Sequence, residues 1–583
     1  MMYKAKNLNR ILLYFLIAIF TILILALLNL QIIHEKKYKR IAENNFIRIK
    51  TLYPVRGEIY DRNFESIVTN KPSHNLYISP GDILDKEKIT TFVSNHFEIE
   101  KKEVEKIIYQ NRFRLFQEIL LVQNVSYTEM LNASELFNYY PSLSFKTEAI
   151  RNYKYTNHFT GHLGRINEKE YKTLKEEGYS INSFLGKSGL ENFYEKLLRG
   201  ENGHQVLQVD ASGNDLNFFK HNLNKSPKNG ANLILTIDNK LQNYLSNIFP
   251  KNTNGAIVVM DSKTGEILAY VSKPDFDLNI FGKNISSKEW NELLNNANKP
   301  MLDRIIHGTY PPGSVFKPIV ATLGLEEKLI DEKTKLAECD GEFELGTGSF
   351  KCWWHKGHGK LNIVDALKVS CDVFFYDLSL IFPLEKLHEF TTNFRLARKT
   401  NVDLPNERTG FFPTKEWFIK NYGKFVSIRG HKVNLAIGQG EILVTPLQIC
   451  AYYAALANNG VWHQPHLLQK MISEDKTTIN EIKSEKLPIS VENLNILEES
   501  LFKVVNAKYG TGGAAGGVPN IKIYGKTGSA ENHMGDKTHA WFAGFAKGEN
   551  ADISFTIFME SAGHGGSVCA PLAKKIVEYY EKF

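Results

Sequence analysis

A serine and a lysine three residues apart, Ser314 and Lys317, have the spacing of a nucleophile and its base. They lie in "YPPGSVFKP" (310–318), directly before the apolar run "IVATLGL". A serine hydroxyl is a weak nucleophile near neutral pH and needs a base, and positions i and i+3 share one face of a helix. Pro318 is unfavourable beyond the first helical turn, so the helix should begin close to Ser314. On this segment alone, an ordinary helix N-cap is the favoured interpretation of Ser314.

Two later groups could complete a catalytic site around that serine. They are Ser370-Cys371-Asp372, within "LKVSCDVFFY", and Lys526-Thr527-Gly528, on the predicted strand "IYGKTGSAE". A lysine acts as a base only when burial or a second cation lowers its pKa, and Lys526 could supply that cation. The structural alternatives are a local helix cap for Ser370 and Asp372 and an ordinary strand end for Lys526. The ordered trio on a helix, a loop and a strand favours catalysis.

Three of the five cysteines and one histidine form a second candidate cluster, with the spacing C-x12-C-x5-H-x12-C. Three thiolates and one imidazole would complete a structural tetrahedral Zn²⁺ site with no open position. Nearby Asp340 and His355 are rival ligands, and a disulfide or unlinked core thiols are the alternatives. Cys450 and Cys569 are isolated and are expected in the core. The four candidate ligands are Cys339, Cys352, His358 and Cys371.

Composition bounds the class of protein. The chain has 583 residues, too many for one ordinary core, so two or more domains are expected. Its formal net charge of +7 is mild for this length, and no basic helix interleaved with aromatic residues is present, which argues against nucleic-acid binding.

The N-terminal region predicts a membrane anchor. Residues 11–30, "ILLYFLIAIFTILILALLNL", carry no charge and match the thickness of a bilayer core. The run is longer than the apolar part of a signal peptide, so we expect an uncleaved single-pass anchor. Basic residues flank the run on both sides, so the positive-inside rule gives no orientation.

Strand signals at both ends of the C-terminal region predict an α+β domain. "GANLILTIDNKLQNYL" (230–245) indicates a strand and a helix, and "GAIVVMDSKTGEILAYVS" (255–272) indicates a hairpin. Three late strands, at 521–531, 539–546 and 551–560, precede a final helix. Mainly helices lie between, so one sheet should be assembled from both ends of the domain. In the preceding region, the apolar spacing of residues 100–121 predicts a helix.

Motifs along the whole chain resemble those of class B penicillin-binding proteins, and most closely their elongation-specific branch, penicillin-binding protein 2. Besides the trio, they are "RGEIYDRN", "GKSGLENFYEKLLRGENG", "AIGQGEILVTPLQ" and "HAWFAGFA". The resemblance implies a cytoplasmic tail (1–10), a transmembrane anchor (11–31), a non-catalytic β-rich pedestal or dimerisation domain (32–229) and a transpeptidase domain (230–583). It also implies a catalytic domain on the periplasmic side of the inner membrane.

The resemblance implies a role for each site residue. Ser314 would attack the penultimate D-alanine carbonyl of a stem pentapeptide, with Lys317 as the acylation base. Ser370 would relay protons to the leaving amine, and Asp372 would hold the network. The backbone N–H groups of Ser314 and Ser529 would form the oxyanion hole, whose donors are worth about 3–4 kcal/mol each. The terminal carboxylate would be recognised by the strand residues Lys526 and Thr527, with Gly528 and Ser529 completing the substrate-binding strand.

One residue departs from the wider superfamily, and it sharpens the resemblance. Asp372 stands where most members have asparagine, and an aspartate cannot donate a hydrogen bond unless protonated. The penicillin-binding protein 2 branch commonly has aspartate here, and some of its members bind zinc at the positions of the cysteine-histidine cluster.

The resemblance also implies the ligands and partners of this chain. They are D-Ala-D-Ala stem peptides, inhibitory β-lactams, elongation-complex proteins and a glycan polymerase of the SEDS type, with no organic cofactor. A division-specific transpeptidase, a membrane β-lactam sensor and a non-catalytic scaffold are the alternatives.

Overall fold

The computed structural model describes residues 2–36, 47–115, 118–180, 183–208, 224–282, 285, 287–474, 476–532, 537–549 and 551–582. Its strands are β1 (Ile47–Leu52), β2 (Ile59–Tyr60), β3 (Ser66–Ile78), β4 (Ile119–Val125), β5 (Leu143–Tyr153), β6 (Leu163–Arg165), β7 (Phe184–Gly186), β8 (Gly203–Gln208), β9 (Asn232–Leu235), β10 (Gly255–Asp261), β11 (Ile267–Lys273), β12 (Glu342–Leu345), β13 (Gly348–Lys351), β14 (Val461–His463), β15 (Leu468–Ile472), β16 (Thr477–Ile479), β17 (Ser484–Lys486), β18 (Lys522–Ala530), β19 (His539–Lys547) and β20 (Ile553–Met559).

The α-helices are α1 (Met2–Leu28), α2 (Lys86–His96), α3 (Lys101–Gln110), α4 (Tyr127–Ser134), α5 (Glu168–Leu174), α6 (Gly189–Phe193), α7 (Glu195–Arg199), α8 (Asn239–Ile248), α9 (Ser287–Leu294), α10 (Lys317–Glu326), α11 (Ile363–Lys368), α12 (Asp372–Leu380), α13 (Leu384–Asn393), α14 (Lys415–Tyr422), α15 (Ile428–Ala436), α16 (Pro446–Ala457), α17 (Val491–Asn506), α18 (Gly565–Val568) and α19 (Ala570–Glu581). Short 3-10 segments occur at Pro80–Asp82, Glu135–Tyr139, Lys175–Glu177, Leu278–Gly282, Gly313–Phe316 and Gly513–Ala515, and a π-helical turn at Asn29–Ile33.

One compact unit comprises residues 1–56 and 199–230, as far as they are described. In it, β1 and β8 pair antiparallel, with Ile47 opposite Gln208. The segment Arg10–Ile33 is 24 residues long and apolar enough to cross a membrane, and among the described residues no other helix qualifies. This matches the expected single anchor.

The second unit, residues 57–198 and 231–583, contains a five-stranded antiparallel sheet with the order β11-β10-β20-β19-β18. The predicted hairpin is confirmed, because β10 and β11 pair with Gly255 opposite Lys273. The late strands join this hairpin through β20, which pairs with β10. The prediction of one sheet assembled from both ends of the domain is therefore confirmed, and β18 lies at its edge.

Helices cover both faces of this sheet. Ile257 and Val259 of β10 pack in a core with α8 and the C-terminal helix α19. Val258 and Met260, which point to the opposite face, pack in a second core with α10 and α16. Because both faces are buried, the strand "GAIVVMD" is almost continuously apolar instead of alternating.

A second, mixed sheet joins strands from distant parts of the sequence, in the order β16-β15-β9-β2-β3-β4, with β5 also paired to β3. Within it, β2 and β9 run parallel, with Ile59 beside Leu233. The sheet therefore contains strands from both sides of the boundary at residue 230 that we predict from the sequence. That boundary stays a prediction.

The helix predicted for residues 100–121 is wrong in its second half. The helix α3 ends at Gln110, and residues 119–125 instead form strand β4. In β4, Ile119, Leu121 and Val125 are buried as the strand pairs with β3. The apolar residues Ile119 and Leu121 thus serve a sheet face with a period of two, which the helical spacing upstream obscured.

Candidate active site

The turn that carries Ser314 is a 3-10 segment, Gly313–Phe316, that continues directly into helix α10 at Lys317. Pro318 therefore lies in the first turn of α10, where its missing N–H has no intrahelical acceptor in any case. The side chains at i and i+3 of a 3-10 helix eclipse, so Ser314 and Lys317 stay on one side of the turn. Ser314 is partly exposed, whereas Lys317 is fully buried.

Close backbone packing fixes the position of this turn against strand β18. Gly313 has a φ of +56°, and a Cβ there would lie 2.9 Å from Ser529 O. Its N–H donates to Gly438 O over 2.8 Å. Only glycine combines this backbone conformation with so close an approach. The turn thus brings Ser314 beside Ser529, the other residue expected to supply an oxyanion-hole N–H.

The ammonium group of Lys317 donates to the second predicted element. Its Nζ lies 2.7 Å from Asp372 Oδ1, 2.9 Å from Ser370 O and 3.3 Å from Ser370 Oγ. The side chain of Asp372 is almost as buried as that of Lys317, so this is an ion pair shielded from water. Among the described residues, Lys317 Nζ makes no hydrogen bond with Ser314 Oγ.

Ser370 adopts an unusual backbone conformation between helices α11 and α12. Its φ is +57°, in the left-handed region that non-glycine residues rarely occupy. The conformation is held by hydrogen bonds from Ser370 N to Leu367 O (3.2 Å) and from Cys371 N to Ala366 O (2.9 Å). Such local strain is common at functional sites, and here it turns Ser370 Oγ towards both lysines.

The third element reaches the same serine from the opposite wall of the cleft. Lys526 is buried on β18, with its Nζ 2.7 Å from Ser370 Oγ and 3.0 Å from Thr527 O. Burial, and secondly the positive charge of Lys317, hold the pKa of Lys526 well below its ordinary value, against the opposing effect of Asp372. Sequence reasoning made Lys317 the base and Lys526 the neighbouring cation, whereas the lowered pKa is found at Lys526 itself.

Residues that sequence reasoning did not single out complete the strand side of the cleft. Thr527 Oγ1 donates to Thr511 Oγ1 over 2.8 Å, and Gln439 Nε2 donates to Ser529 O over 3.2 Å. Ser529 Oγ lies 3.3 Å from Nδ1 of His564. Of these three partners, Gln439 lies in the quoted motif "AIGQGEILVTPLQ", while nothing in the sequence marked Thr511 or His564.

A buried polar network supports the residues just before Ser314. Glu560 accepts hydrogen bonds from Arg304 Nε (2.9 Å) and from the hydroxyl of Tyr310 (2.8 Å), and Trp541 Nε1 donates to Pro311 O over 3.0 Å. Burial raises the pKa of Glu560, but the hydrogen bonds and charge of Arg304, with the Tyr310 hydroxyl, outweigh it and leave that pKa below its ordinary value. Glu560 is the last residue of the predicted strand run "ADISFTIFME" and directly follows β20, and its role was not predictable from that pattern.

The four predicted metal ligands come together in one cluster. The donor atoms of Cys339, Cys352, His358 and Cys371 all lie within 4.8 Å of one another. His358 Nδ1 is 3.6 Å from Cys339 Sγ and 3.5 Å from Cys352 Sγ. The edges of a tetrahedral zinc site built from ordinary Zn–S and Zn–N bonds are about 3.5–3.8 Å, so the donor set fits Zn²⁺. The rival ligands Asp340 and His355 are not in the cluster.

Hydrogen bonds within this cluster shift the thiol pKa values in opposite directions. A hydrogen bond from the Cys371 thiol is the largest of the effects that lower the pKa of the Cys352 thiol, and His358 adds to them. The same contact and burial raise the pKa of Cys371. All five cysteines are free thiols, and Cys450 and Cys569 are buried in the core as expected.

In this arrangement lysines lie next to the serines, in the place where a Ser-His-Asp triad has a histidine imidazole as the base. A partly exposed serine at the start of a helix faces a second serine that two buried lysines approach, beside an edge strand. The class that this fold and site define is that of the penicillin-recognising serine enzymes.

Comparisons with known proteins agree. Residues 255–578 match the penicillin binding protein transpeptidase domain, and residues 51–235 match the penicillin-binding protein dimerisation domain. The chain belongs to the penicillin-binding protein family of transpeptidases, and it is an enzyme of the serine type. The peptidoglycan D,D-transpeptidase MrdA of Acinetobacter baumannii is 31% identical, over 94% of this chain and 84% of that protein.

Solved structures give the same result. The complex between penicillin-binding protein 2 and MreC from Helicobacter pylori contains a chain that is 29% identical, with a TM-score of 0.82 over 92% of this chain and 99% of that one. A chain from a peptidoglycan synthase complex that coordinates polymerization and crosslinking is 25% identical, with a TM-score of 0.72 over 98% of both chains. The predicted α+β fold, with a dimerisation domain before a transpeptidase domain, is therefore confirmed.

Proposed function

We propose that this chain is the peptidoglycan D,D-transpeptidase that cross-links stem peptides during cell elongation. The observation that carries the proposal is the convergence of the Nζ atoms of Lys317 and Lys526 on Ser370 Oγ, at 3.3 and 2.7 Å, next to the turn of Ser314. The MrdA name of the relatives and the penicillin-binding protein 2 neighbours support the elongation process.

In the acylation step, Ser314 Oγ attacks the penultimate D-alanine carbonyl. The C–Oγ bond forms, the C–N bond to the terminal D-alanine breaks, and the proton of Ser314 must reach the leaving amine. Lys317 accepts that proton as it passes one of its own to Ser370. Lys526, whose pKa is lowered, is able to be neutral and to take up the proton through Ser370 Oγ. Ser370 then returns the proton to the leaving nitrogen.

Strand β18 binds the donor peptide. β18 is the edge strand of its sheet, so an extended peptide can lie along it as an added strand. Lys526 and Thr527 recognise the terminal carboxylate, and Gly528 gives room for the nucleophile turn, because a Cβ there would lie 3.1 Å from Pro312 O. The N–H groups of Ser314 and Ser529 stabilise the oxyanion.

In the second step, an amine of a neighbouring stem peptide attacks the acyl-enzyme. A new amide C–N bond forms and the C–Oγ bond breaks, while the lysine network takes a proton from the attacking amine and returns one to Ser314 Oγ. β-Lactams imitate the D-Ala-D-Ala end and stop at the acyl stage, since they trap Ser314.

We also propose that the cysteine-histidine cluster holds one structural Zn²⁺, and that no organic cofactor is needed. Cys339, Cys352, His358 and Cys371 would be its ligands, and four protein ligands leave no open position for catalysis. When bound, the ion supplies a rigid cross-link between loops. Because Cys371 is the middle residue of the second catalytic element, that cross-link fixes Ser370 and Asp372 beside Lys317.

The chain is a single-pass membrane protein, and we propose that residues 1–10 lie in the cytoplasm and the catalytic domain in the periplasm.

Its partners are components of peptidoglycan synthesis. The neighbours bound to MreC and in a synthase complex support elongation proteins and a SEDS-type glycan polymerase as the specific partners. The MrdA relatives do not favour a β-lactam sensor, and the intact trio argues against a scaffold. A division-specific enzyme would share the trio, but it is not favoured by the MrdA relatives.

Labelling with a fluorescent penicillin tests the nucleophile. Membranes containing the wild-type chain should give one band near the mass of the chain, and Ser314→Ala should give none. Ser473→Ala, at an exposed serine remote from the trio in sequence, is the control and should label like the wild type. A band of equal intensity with Ser314→Ala would contradict the assignment. Co-purification with elongation or with division proteins separates the two processes.

A further inference from the structure

Two adjacent tryptophans lie exposed beside the second catalytic element. Trp353 is 50% exposed and Trp354 is 44% exposed, and their ring centroids are 5.7 Å apart. Tryptophan is usually highly buried, and a contiguous exposed apolar surface commonly marks a binding site. We call Trp353 and Trp354 the tryptophan platform.

The tryptophan platform is fixed to the catalytic centre by hydrogen bonds. The backbone N–H of Trp353 donates to Asp372 Oδ2 over 3.0 Å, while Oδ1 of the same carboxylate accepts from Lys317. The indole Nε1–H of Trp353 donates to Val369 O over 3.0 Å, one residue before Ser370. The platform is thus continuous with the Ser370 wall of the cleft, opposite strand β18.

The segment that carries the platform is basic. Residues 352–360, "CWWHKGHGK", contain no acidic residue, and Lys356 and Lys360 are exposed. Neither lysine forms an ion pair with a described residue. A surface of two indole rings beside unpaired ammonium groups suits a ligand that has both apolar ring faces and carboxylates.

We propose that the tryptophan platform binds the acceptor strand of peptidoglycan, the strand whose stem-peptide amine attacks the acyl-enzyme. This inference depends on the proposed transpeptidase function. The donor peptide occupies β18, so the second strand must approach along the opposite wall, which ends in Trp353. The C–H faces of the sugars, or the aliphatic parts of the stem peptide, stack on the indoles, and stem-peptide carboxylates pair with Lys356 and Lys360.

The test separates the donor step from the acceptor step in the full-length protein. Variants Trp353→Ala, Trp354→Ala and the double variant retain the backbone N–H to Asp372. Their acylation by a fluorescent penicillin, which needs no acceptor, should stay within about twofold of wild type. Cross-linking of glycan strands with pentapeptide stems should fall roughly tenfold in the double variant, as for an aromatic hot spot, with hydrolysis of the acyl-enzyme favoured instead.

Two controls make the result specific. Trp290→Ala removes a partly exposed tryptophan on α9 and should change neither step. Exchange of the terminal D-alanine for a free D-amino acid should continue in the double variant at the wild-type rate, because a free D-amino acid is too small to reach the platform. Lys356→Ala with Lys360→Ala should raise the KM for the acceptor strand and reduce its dependence on salt.

Three outcomes would overturn the inference. Unchanged partition between cross-linking and hydrolysis in the double variant would exclude acceptor binding by the platform. Equal losses of penicillin acylation and cross-linking would instead show a structural role for the tryptophans. A wild-type protein that acylates with penicillin but never cross-links strands, alone or with its polymerase, would overturn the proposed function itself, and the inference with it.

Discussion

Lys526 Nζ lies 2.7 Å from Ser370 Oγ, although the two residues are 156 positions apart in the sequence. The lysine comes from the edge strand of the sheet, and the serine comes from a strained turn between two helices. Lys317 approaches the same hydroxyl group from a third element. Ser370 is therefore the point at which the three short motifs meet, and it connects the two lysines into one hydrogen-bonded path.

The lowered pKa of Lys526 predicts an acidic limit to acylation. Lys526 accepts a proton only when neutral, so acylation by a β-lactam should fall as the pH drops through its folded-state pKa. Lys526→Arg keeps the positive charge but cannot become neutral near physiological pH. We expect acylation to be roughly a hundredfold slower in this variant, without the acidic limb, in stopped-flow measurements across pH. A wild-type pH profile retained in Lys526→Arg would contradict the relay.

The ion pair between Lys317 and Asp372 predicts different effects of two substitutions. Asp372→Ala leaves the Lys317 ammonium buried without a counter-charge, which costs about 3–5 kcal/mol of folding free energy. Asp372→Asn retains an oxygen for Lys317 and loses only the charge, so we expect a smaller loss. Thermal unfolding of both variants gives the order of their stabilities, and labelling with penicillin gives the effect of each substitution on acylation. Melting temperatures of both variants equal to that of wild type would show that the ion pair contributes little to stability.

The cysteine-histidine cluster predicts a zinc content of one per chain. Cys352→Ser and Cys339→Ser should contain less zinc than wild type, unfold at lower temperature and acylate more slowly, because the loop that carries Cys371 is no longer tethered. Cys450→Ala changes a buried cysteine outside the cluster and should keep its zinc. Elemental analysis of the purified proteins decides the matter, and equal zinc in Cys352→Ser and wild type would remove the metal assignment.

Because Glu560 supports the residues just before Ser314, we expect its substitution to slow acylation. Glu560→Gln weakens the buried contact with Arg304, so Tyr310 and the following prolines lose support. We expect lower stability and about tenfold slower acylation, whereas Tyr310→Phe removes a single hydrogen bond to a charged group, worth about 1.5–3 kcal/mol. The rate constants for penicillin acylation and the melting temperatures of both variants should be compared. A fall in rate that exceeds the fall in stability would show that Glu560 positions the turn of Ser314.

The same carboxylate predicts a pH dependence of stability. The folded-state pKa of Glu560 is lowered, so its contribution is complete above its ordinary value of 4.5 and is lost as the pH falls through the lower folded value. The stability difference between wild type and Glu560→Gln should therefore shrink in acid. A difference that is constant from neutral pH to acid would contradict the assignment.

Local patterns were enough to predict several parts of the molecule. Each of these parts depends on residues close together in the chain, where turn chemistry and side-chain period act directly. They are the apolar run after Arg10, the hairpin over 255–272, the late strands and the spacing of Ser314 and Lys317. The predicted helix fails at residues 119–121, because they belong to strand β4, and the strand that pairs with it, β3, lies more than forty residues earlier.

By itself, the sequence determined which chemical groups are present: one serine and lysine pair, a second serine, a second lysine and a set of soft metal ligands. The tertiary structure decided how they act. It gave Ser370 its left-handed backbone, brought two buried lysines to one hydroxyl group, lowered the pKa of Lys526 and attached Trp353 to Asp372. Burial and close approach of charges depend on elements that are distant in the chain, so no local pattern of residues could predict them.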